Sequence, residues 1–176
     1  PVADSAAIPT YFMAEVTKPH VTVVLTGEGA DELFAGYSHY KILLWGDRMS
    51  ALGPGAVARA MARRFSSVHA ARGAEYAGQL RNRAAAWLAL KSVFSDAEKG
   101  ELYAPGAGLK HNRFSPSFEV VREYLGPGRT PFLHQLLRLD LATWLPDDLL
   151  VKVDRMTMAH SVEARVPYLD HRVVEA

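Results

Sequence analysis

The stretch VTVVLTGEGADELFAGY, Val21–Tyr37, decides how this chain is read. It opens on Val21-Thr22-Val23-Val24-Leu25, a β-branched run that predicts a short strand buried on both faces. Thr26-Gly27-Glu28-Gly29 follows, and two glycines around one carboxylate let the backbone turn sharply and approach a ligand closely. Ala30-Asp31-Glu32-Leu33-Phe34 then starts a helix, with acids in the first turn, where the positive end of the dipole favours them. This order places carboxylates at the carboxyl end of a parallel strand, where open α/β sheets bind ligands. A lone Gly-x-Gly would be an ordinary βα turn. Three carboxylates within five residues, Glu28, Asp31 and Glu32, go beyond that. An acidic mouth repels phosphate unless a cation intervenes, so the stretch points to a Mg²⁺-bridged nucleotide or pyrophosphate site.

The remainder of the 176 residues bounds the possibilities. Apolar content of 49% with 22% charged residues belongs to a soluble globular chain, one domain with room for a helical extension. A net charge of +1 selects no anionic partner. Arg59, Arg63, Arg64, Arg72, Arg81 and Arg83 alternate with alanine on helical stretches, which reads as a solvated helix face and not as a nucleic-acid surface. No run approaches the ~18 apolar residues of a membrane span, and nothing at the start resembles a signal peptide; the expected setting is cytoplasmic, with no membrane partner. There is no cysteine, which excludes disulfides, thiolate metal sites and a cysteine nucleophile. The seven histidines lack ligand spacing and read as surface or packing residues. A start at Pro1 and a helix that seems to be opening at Val173–Ala176 lead to the expectation of a piece of a longer protein.

Outward from the acidic turn, Thr10–Thr17 reads as an apolar helix ended by Lys18-Pro19. The helix begun at Ala30 is expected to run on toward Trp45. Gly53-Pro54-Gly55 marks a break before the alanine-rich helices Ala56–Phe65 and Ala74–Phe94. Leu80, Trp87, Leu88 and Val93 or Phe94 form the apolar stripe of the second. Ser95-Asp96-Ala97-Glu98 has capping-box spacing for a short helix through Tyr103. Ala104–Gly108 and Gly126-Pro127-Gly128 are loops, and Pro131–Thr143 is again helical.

The second informative stretch is WLPDDLLVKVDRMTMAHSVEARVPYLDHR, Trp144–Arg172. Pro146 suits a first helical position and Asp147 and Asp148 a first turn. That helix is expected to reach about Ser161, because Pro167 biases Val166 away from helical geometry. Leu149, Val153, Met156 and His160 share one face; Leu150, Asp154, Thr157 and Ser161 share the adjoining one. Asp154 thus sits beside an apolar strip, and a half-buried carboxylate needs a partner. Either Arg155 or Arg165 could serve, in a structural ion pair or in a cleft. Glu163–Asp170 is expected to be extended or turn-like, with charges alternating against apolar anchors.

Together, LTGEGADELFAGYSHY and LPDDLLVKVDRMTMAHSVEARVPYLDHRVVE resemble the synthetase domain of glutamine-dependent asparagine synthetases, and the start Ile8-Pro9-Thr10-Tyr11 also fits. The resemblance covers nearly the whole chain, residues 1–176. Lactam synthetases and peptide-modifying amidotransferases share the domain, so the acceptor is less specified than the chemistry. The resemblance implies an α/β fold, a Rossmann-like ATP-pyrophosphatase (adenine nucleotide alpha hydrolase-like) sheet with added helices; this chain alone is expected to be mainly α with one or two strands. It implies ATP and Mg²⁺, aspartate as acceptor, and ammonia from glutamine through a glutaminase domain. An aspartate side chain would be adenylated with loss of pyrophosphate, and ammonia would then release asparagine and AMP. By the same resemblance Asp31 would be a Mg²⁺ ligand and Glu28 the base that takes a proton from ammonia. Gly27 and Gly29 would let the backbone close on nucleotide or intermediate, and Glu32 is left as helix-start electrostatics. Asp154, Arg155, Glu163 and Arg165 remain ion-pair candidates. Glu28 tilts the acceptor toward aspartate, since some lactam-forming relatives carry a non-carboxylate there.

The departures matter too. The family's Ser-Gly-Gly-x-Asp-Ser phosphate loop, with a second Mg²⁺-binding aspartate, is absent, and no Gly-Gly pair occurs. The downstream lysine would lie beyond Ala176, and the glutaminase cysteine is missing. Ala35 stands where a glycine is common. The isolated chain is therefore expected to be catalytically silent, with exposed apolar surface that makes a homo-oligomer a candidate state. A non-catalytic helical interaction domain is the alternative from another class.

Overall fold

A computed structural model describes residues 4–49, 79, 82–94, 96–102, 116–126 and 128–175. The chain divides into two units, Pro1–Tyr37 with Leu136–Ala176, and Ser38–Gln135.

In the first unit, helix α1 (Ala7–Thr17) leads to strand β1 (Val23–Leu25) and the short helix α2 (Ala30–Phe34). After α7 (Phe132–Ala142) comes a π-helical stretch, Leu145–Leu150, that runs into α8 (Val151–Met158). Strand β2 (Glu163–Arg165), a 3₁₀ turn (Pro167–Leu169) and α9 (His171–Val174) complete it. β1 and β2 pair in parallel, with Val23 opposite Glu163, Val24 opposite Ala164 and Leu25 opposite Arg165. Glu163 N–H donates to Thr22 O at 2.8 Å and Thr26 N–H to Arg165 O at 2.9 Å, extending the ladder at both ends.

Each strand is preceded by a helix, and these two helices run side by side in the same direction. Lys152 of α8 meets Asp4 before α1, His160 meets the Tyr11 ring at 4.3 Å, and Lys18 donates to Ser161 O at 2.8 Å. α8 ends in a Schellman motif: Val162 N–H reaches Thr157 O and Ser161 N–H reaches Met158 O, with Ser161 left-handed at φ 55°. Val162 is then fully buried.

The second unit holds α3 (Ser38–Met49), α4 (Arg83–Lys91), α5 (Asp96–Leu102) and α6 (Pro116–Tyr124). Tyr40, Leu43, Ala84, Ala86, Trp87, Val121 and Leu125 are its buried apolar residues. Asn82 caps α4 by accepting from Ala85 N–H, as a short polar side chain does at a helix start. Arg83 ties α4 to α3 through a two-point bond to Asp47, at 2.7 and 3.0 Å, and lies 4.3 Å over the Phe132 ring.

A mainly helical chain with two parallel strands agrees with the expectation. Several particulars differ. The run at Val21 is not buried on both faces: Val23 and Leu25 share a face and are 42% and 74% exposed, while Val24 is half-buried. Burial on both faces needs a layer on each side, and the alternation marks a strand covered on one. The helix from Ala30 does not reach Trp45. Ala35 is left-handed (φ 58°), its N–H and that of Gly36 close on Asp31 O, and α3 restarts at Ser38. No break falls at Pro146 either, since Trp144 and Val151 are both right-handed helical and Asp147 N–H reaches Thr143 O. The π-helical turn absorbs the missing proline N–H. Val93 and Phe94 are exposed because α4 ends at Lys91. Ala56–Phe65, Leu80, Ser95 and the two breaks Gly53–Gly55 and Ala104–Gly108 lie outside the described residues.

A left-handed alanine carries a steric penalty that glycine lacks, of order 1 kcal/mol. Ala35→Gly is expected to raise stability by about that amount in equilibrium urea unfolding. An unchanged or lowered midpoint would contradict the left-handed turn.

Candidate functional site

Two parallel strands end side by side, so the turns that leave them meet. The turn after β1 is Thr26-Gly27-Glu28-Gly29; the turn after β2 holds Pro167-Tyr168-Leu169. Gly29 adopts φ 88°, and a Cβ built there would strike the Leu169 side chain. Both facts require glycine at this position. Gly27 has open space around it. Phe34 and Tyr168 touch edge to face, with centroids 6.1 Å apart.

Glu28 is half-buried in this turn. Burial pushes its carboxyl above the usual range, the charge of Lys152 opposes that, and Glu32, Asp31 and Asp4 add to the rise. Asp31 is exposed near the start of α2, its carboxylate lying against Gly36, where a Cβ would collide with it. Glu32 is 1% exposed and accepts a hydrogen bond from the Tyr37 hydroxyl at 2.7 Å. Burial, then that bond, pushes the Tyr37 phenol far up, so it stays a donor.

Thr26 carries a buried hydroxyl oxygen with no partner among the described residues. Lys152 is 6% exposed and donates to Asp4 Oδ2 at 2.7 Å. The hydrogen bond from Lys152 holds the Asp4 carboxyl below the usual range.

Glu28, Gly27, Gly29 and Asp31 therefore lie together. The ion-pair candidates do not join them as expected. Asp154 and Arg155 are exposed, and among the described residues Asp154 makes no ion pair. Arg165 instead donates to Glu163 Oε1 at 2.9 Å, two residues back on the same exposed face of β2. Strand alternation puts those two charges together, whereas the face of α8 that carries Asp154 points to solvent. Glu32 is more than helix-start electrostatics, since it is buried. Thr26, Lys152 and Asp4 were not anticipated. Lys152 had a signal: it follows Leu149 by three and adjoins Val153, so it falls on the buried side of its helix, where an ammonium needs a partner. Asp4 had none, because its partner is 148 residues away.

Among the described residues no group of three or more His, Asp or Glu is arranged to enclose a metal. Magnesium is commonly held by one or two carboxylates with substrate phosphates and water, and the exposed Asp31 fits that mode.

The asparagine synthase family model matches residues 1–176. The chain is 34% identical to asparagine synthetase [glutamine-hydrolyzing] 1 of Bacillus subtilis, covering 99% of this chain and 27% of that protein. It is 37% identical to a putative glutamine-hydrolysing asparagine synthetase of Mycobacterium bovis, covering 98% of this chain and 26% of that one. It thus spans about a quarter of the length of these curated relatives. No solved structure matches it.

Two substitutions test this geometry. Gly29→Ala should destabilise by at least ~1 kcal/mol, with part regained in Gly29→Ala/Leu169→Ala; no loss in urea unfolding would refute the close approach. Glu28 has a raised folded pKa, so its contribution to stability is fully present below the ordinary glutamate value and is lost as pH rises through the folded one. Glu28→Gln should therefore raise the melting temperature at pH 7, by a margin that shrinks as pH falls toward the glutamate range.

Proposed function

Because the chain belongs to the asparagine synthase family, we propose that it forms part of the synthetase domain of a glutamine-dependent asparagine synthetase. In this reading residues 1–176 are a partial domain of Rossmann-like ATP-pyrophosphatase type, acting on ATP and aspartate in the cytoplasm. The aspartate side-chain carboxylate attacks the α-phosphorus, and pyrophosphate leaves. Ammonia then attacks the activated acyl carbon, AMP departs, and the amide remains. The observation that carries this reading is the placement of Glu28 and Asp31 on the turn that leaves β1, beside the turn that leaves β2, where α/β sheets bind ligands.

The residues divide the work. Gly29 lets the β1 turn close against Leu169. Gly27, with open space at its Cα, lets a ligand approach the backbone. The Thr26 hydroxyl, buried and unpartnered among the described residues, can bond to the nucleotide or the acyl phosphate. Glu28, made more basic by burial, takes the proton that ammonia loses on forming the C–N bond. Asp31 would hold Mg²⁺, which when bound supplies positive charge for the leaving pyrophosphate. Glu32, fixed by the Tyr37 hydroxyl, anchors α2 from inside.

The test is ATP–pyrophosphate exchange by the complete protein, with and without aspartate. Exchange should require aspartate and fall by ~100-fold or more in Asp31→Asn. Glu28→Gln should keep exchange and lose ammonia-dependent amide formation by ~10²–10⁴-fold. Exchange indifferent to aspartate would assign another acceptor, and no exchange would favour the interaction-domain reading.

A further inference from the structure

The Asp4–Lys152 pair is the one element of this region that the reaction above leaves unused. It joins residues at the starts of two helices. Asp4 caps the entry to α1, accepting from Ala6 N–H at 2.9 Å, and Lys152 lies in the first turn of α8. These helices run in one direction and each feeds a strand that runs back, so their starts lie at the carboxyl end of the strands, beside Glu28. The Lys152 side chain is 8% exposed, that of Asp4 23%. Removing an ammonium from water costs several kcal/mol unless it is paired. An isolated structural pair would be served as well by two apolar residues, so its retention in this place calls for a role.

The surroundings supply one. Four carboxylates gather here: Glu28, Asp31 and Glu32 around the β1 turn and Asp4 from before α1. The groups that act on Glu28 are those other three acids and Lys152, the single cation among the described residues that does so. Asp4 and the acids of α2 push Glu28 toward its neutral form, as burial does; Lys152 alone pulls the other way. A neutral carboxyl cannot take a proton from ammonia.

We infer that Lys152, fixed by Asp4, is a positioning residue for Glu28, holding that carboxylate ionised and in place at the end of β1. The inference rests on the reading of Glu28 as the base. It gives Asp4 a defined part: it holds the ammonium on its helix while drawing off some of its field.

The experiment measures ammonia-dependent amide formation by the complete protein across pH, at constant free ammonia, with ATP–pyrophosphate exchange followed in parallel. Lys152→Met and the neutral double variant Asp4→Asn/Lys152→Met should each move the acid limb up by about one pH unit, a tenfold loss of rate near its midpoint. Asp4→Asn should move the limb down, and Lys152→Arg should restore it. Exchange should change little, because Glu28 acts after adenylation. Should Lys152→Met fail to fold, the double variant and Asp4→Asn carry the test, since neither leaves a buried carboxylate without its cation. An acid limb unmoved in all of these overturns the inference, as does equal loss of exchange and amide formation in the folded variants. Amide formation that survives Glu28→Gln would instead overturn the reading of Glu28 itself.

Discussion

The parallel register of β1 and β2 is the constraint on which the first unit depends. Three residue pairs fix it, Val23 with Glu163, Val24 with Ala164 and Leu25 with Arg165, and a slip of one would turn every side chain of a strand to the other face. With the register set, the two strands end together and the Gly29 turn closes on Leu169. The helices that precede the strands lie alongside one another for the same reason. A parallel pair must be fed from the same end, so each strand arrives by way of a helix running the opposite way.

Electrostatics then separates what matters from what decorates. Exposed pairs such as Glu119–Arg122, Glu163–Arg165 and Asp170–Arg172 lie in water, where such contacts contribute little. Two polar pairs are shielded. Glu32–Tyr37 joins an ionisable group to a neutral donor, and Asp4–Lys152 joins opposite charges. Both border the turn that carries Glu28. Polar groups so placed hold their partners to one geometry, and this is where the chain departs most from an apolar core.

Much of this was legible in the residues. The β-branched run, the glycines about Glu28 and the acids after it specify a strand, turn and helix in local terms, and all three form where expected. What was misread depended on neighbours. Burial of Val23 and Leu25 is a property of the layer beside them, not of their β-branching or apolar character. The stop at Ala35 comes from a left-handed residue that helix propensity alone does not reveal, alanine being the best helix former. Asp154 was assigned to a shielded face by helical periodicity, which locates residues about an axis but says nothing of which side faces solvent. The comparisons establish the family; the roles of Glu28 and Asp31 rest on position and chemistry.

The first unit is also split in sequence, its two parts separated by Ser38–Gln135. Its defining pairing joins Val23 to Glu163, and contacts so distant along a chain are slow to form because a long loop must close first. During synthesis from the amino end, β1 and its acidic turn emerge well before any partner exists for them. They wait, unpaired, until Arg165 has left the ribosome. The intervening helices have local contacts of their own and can settle in that interval. The carboxylates of the β1 turn are thus among the first charged groups made and among the last to find their places.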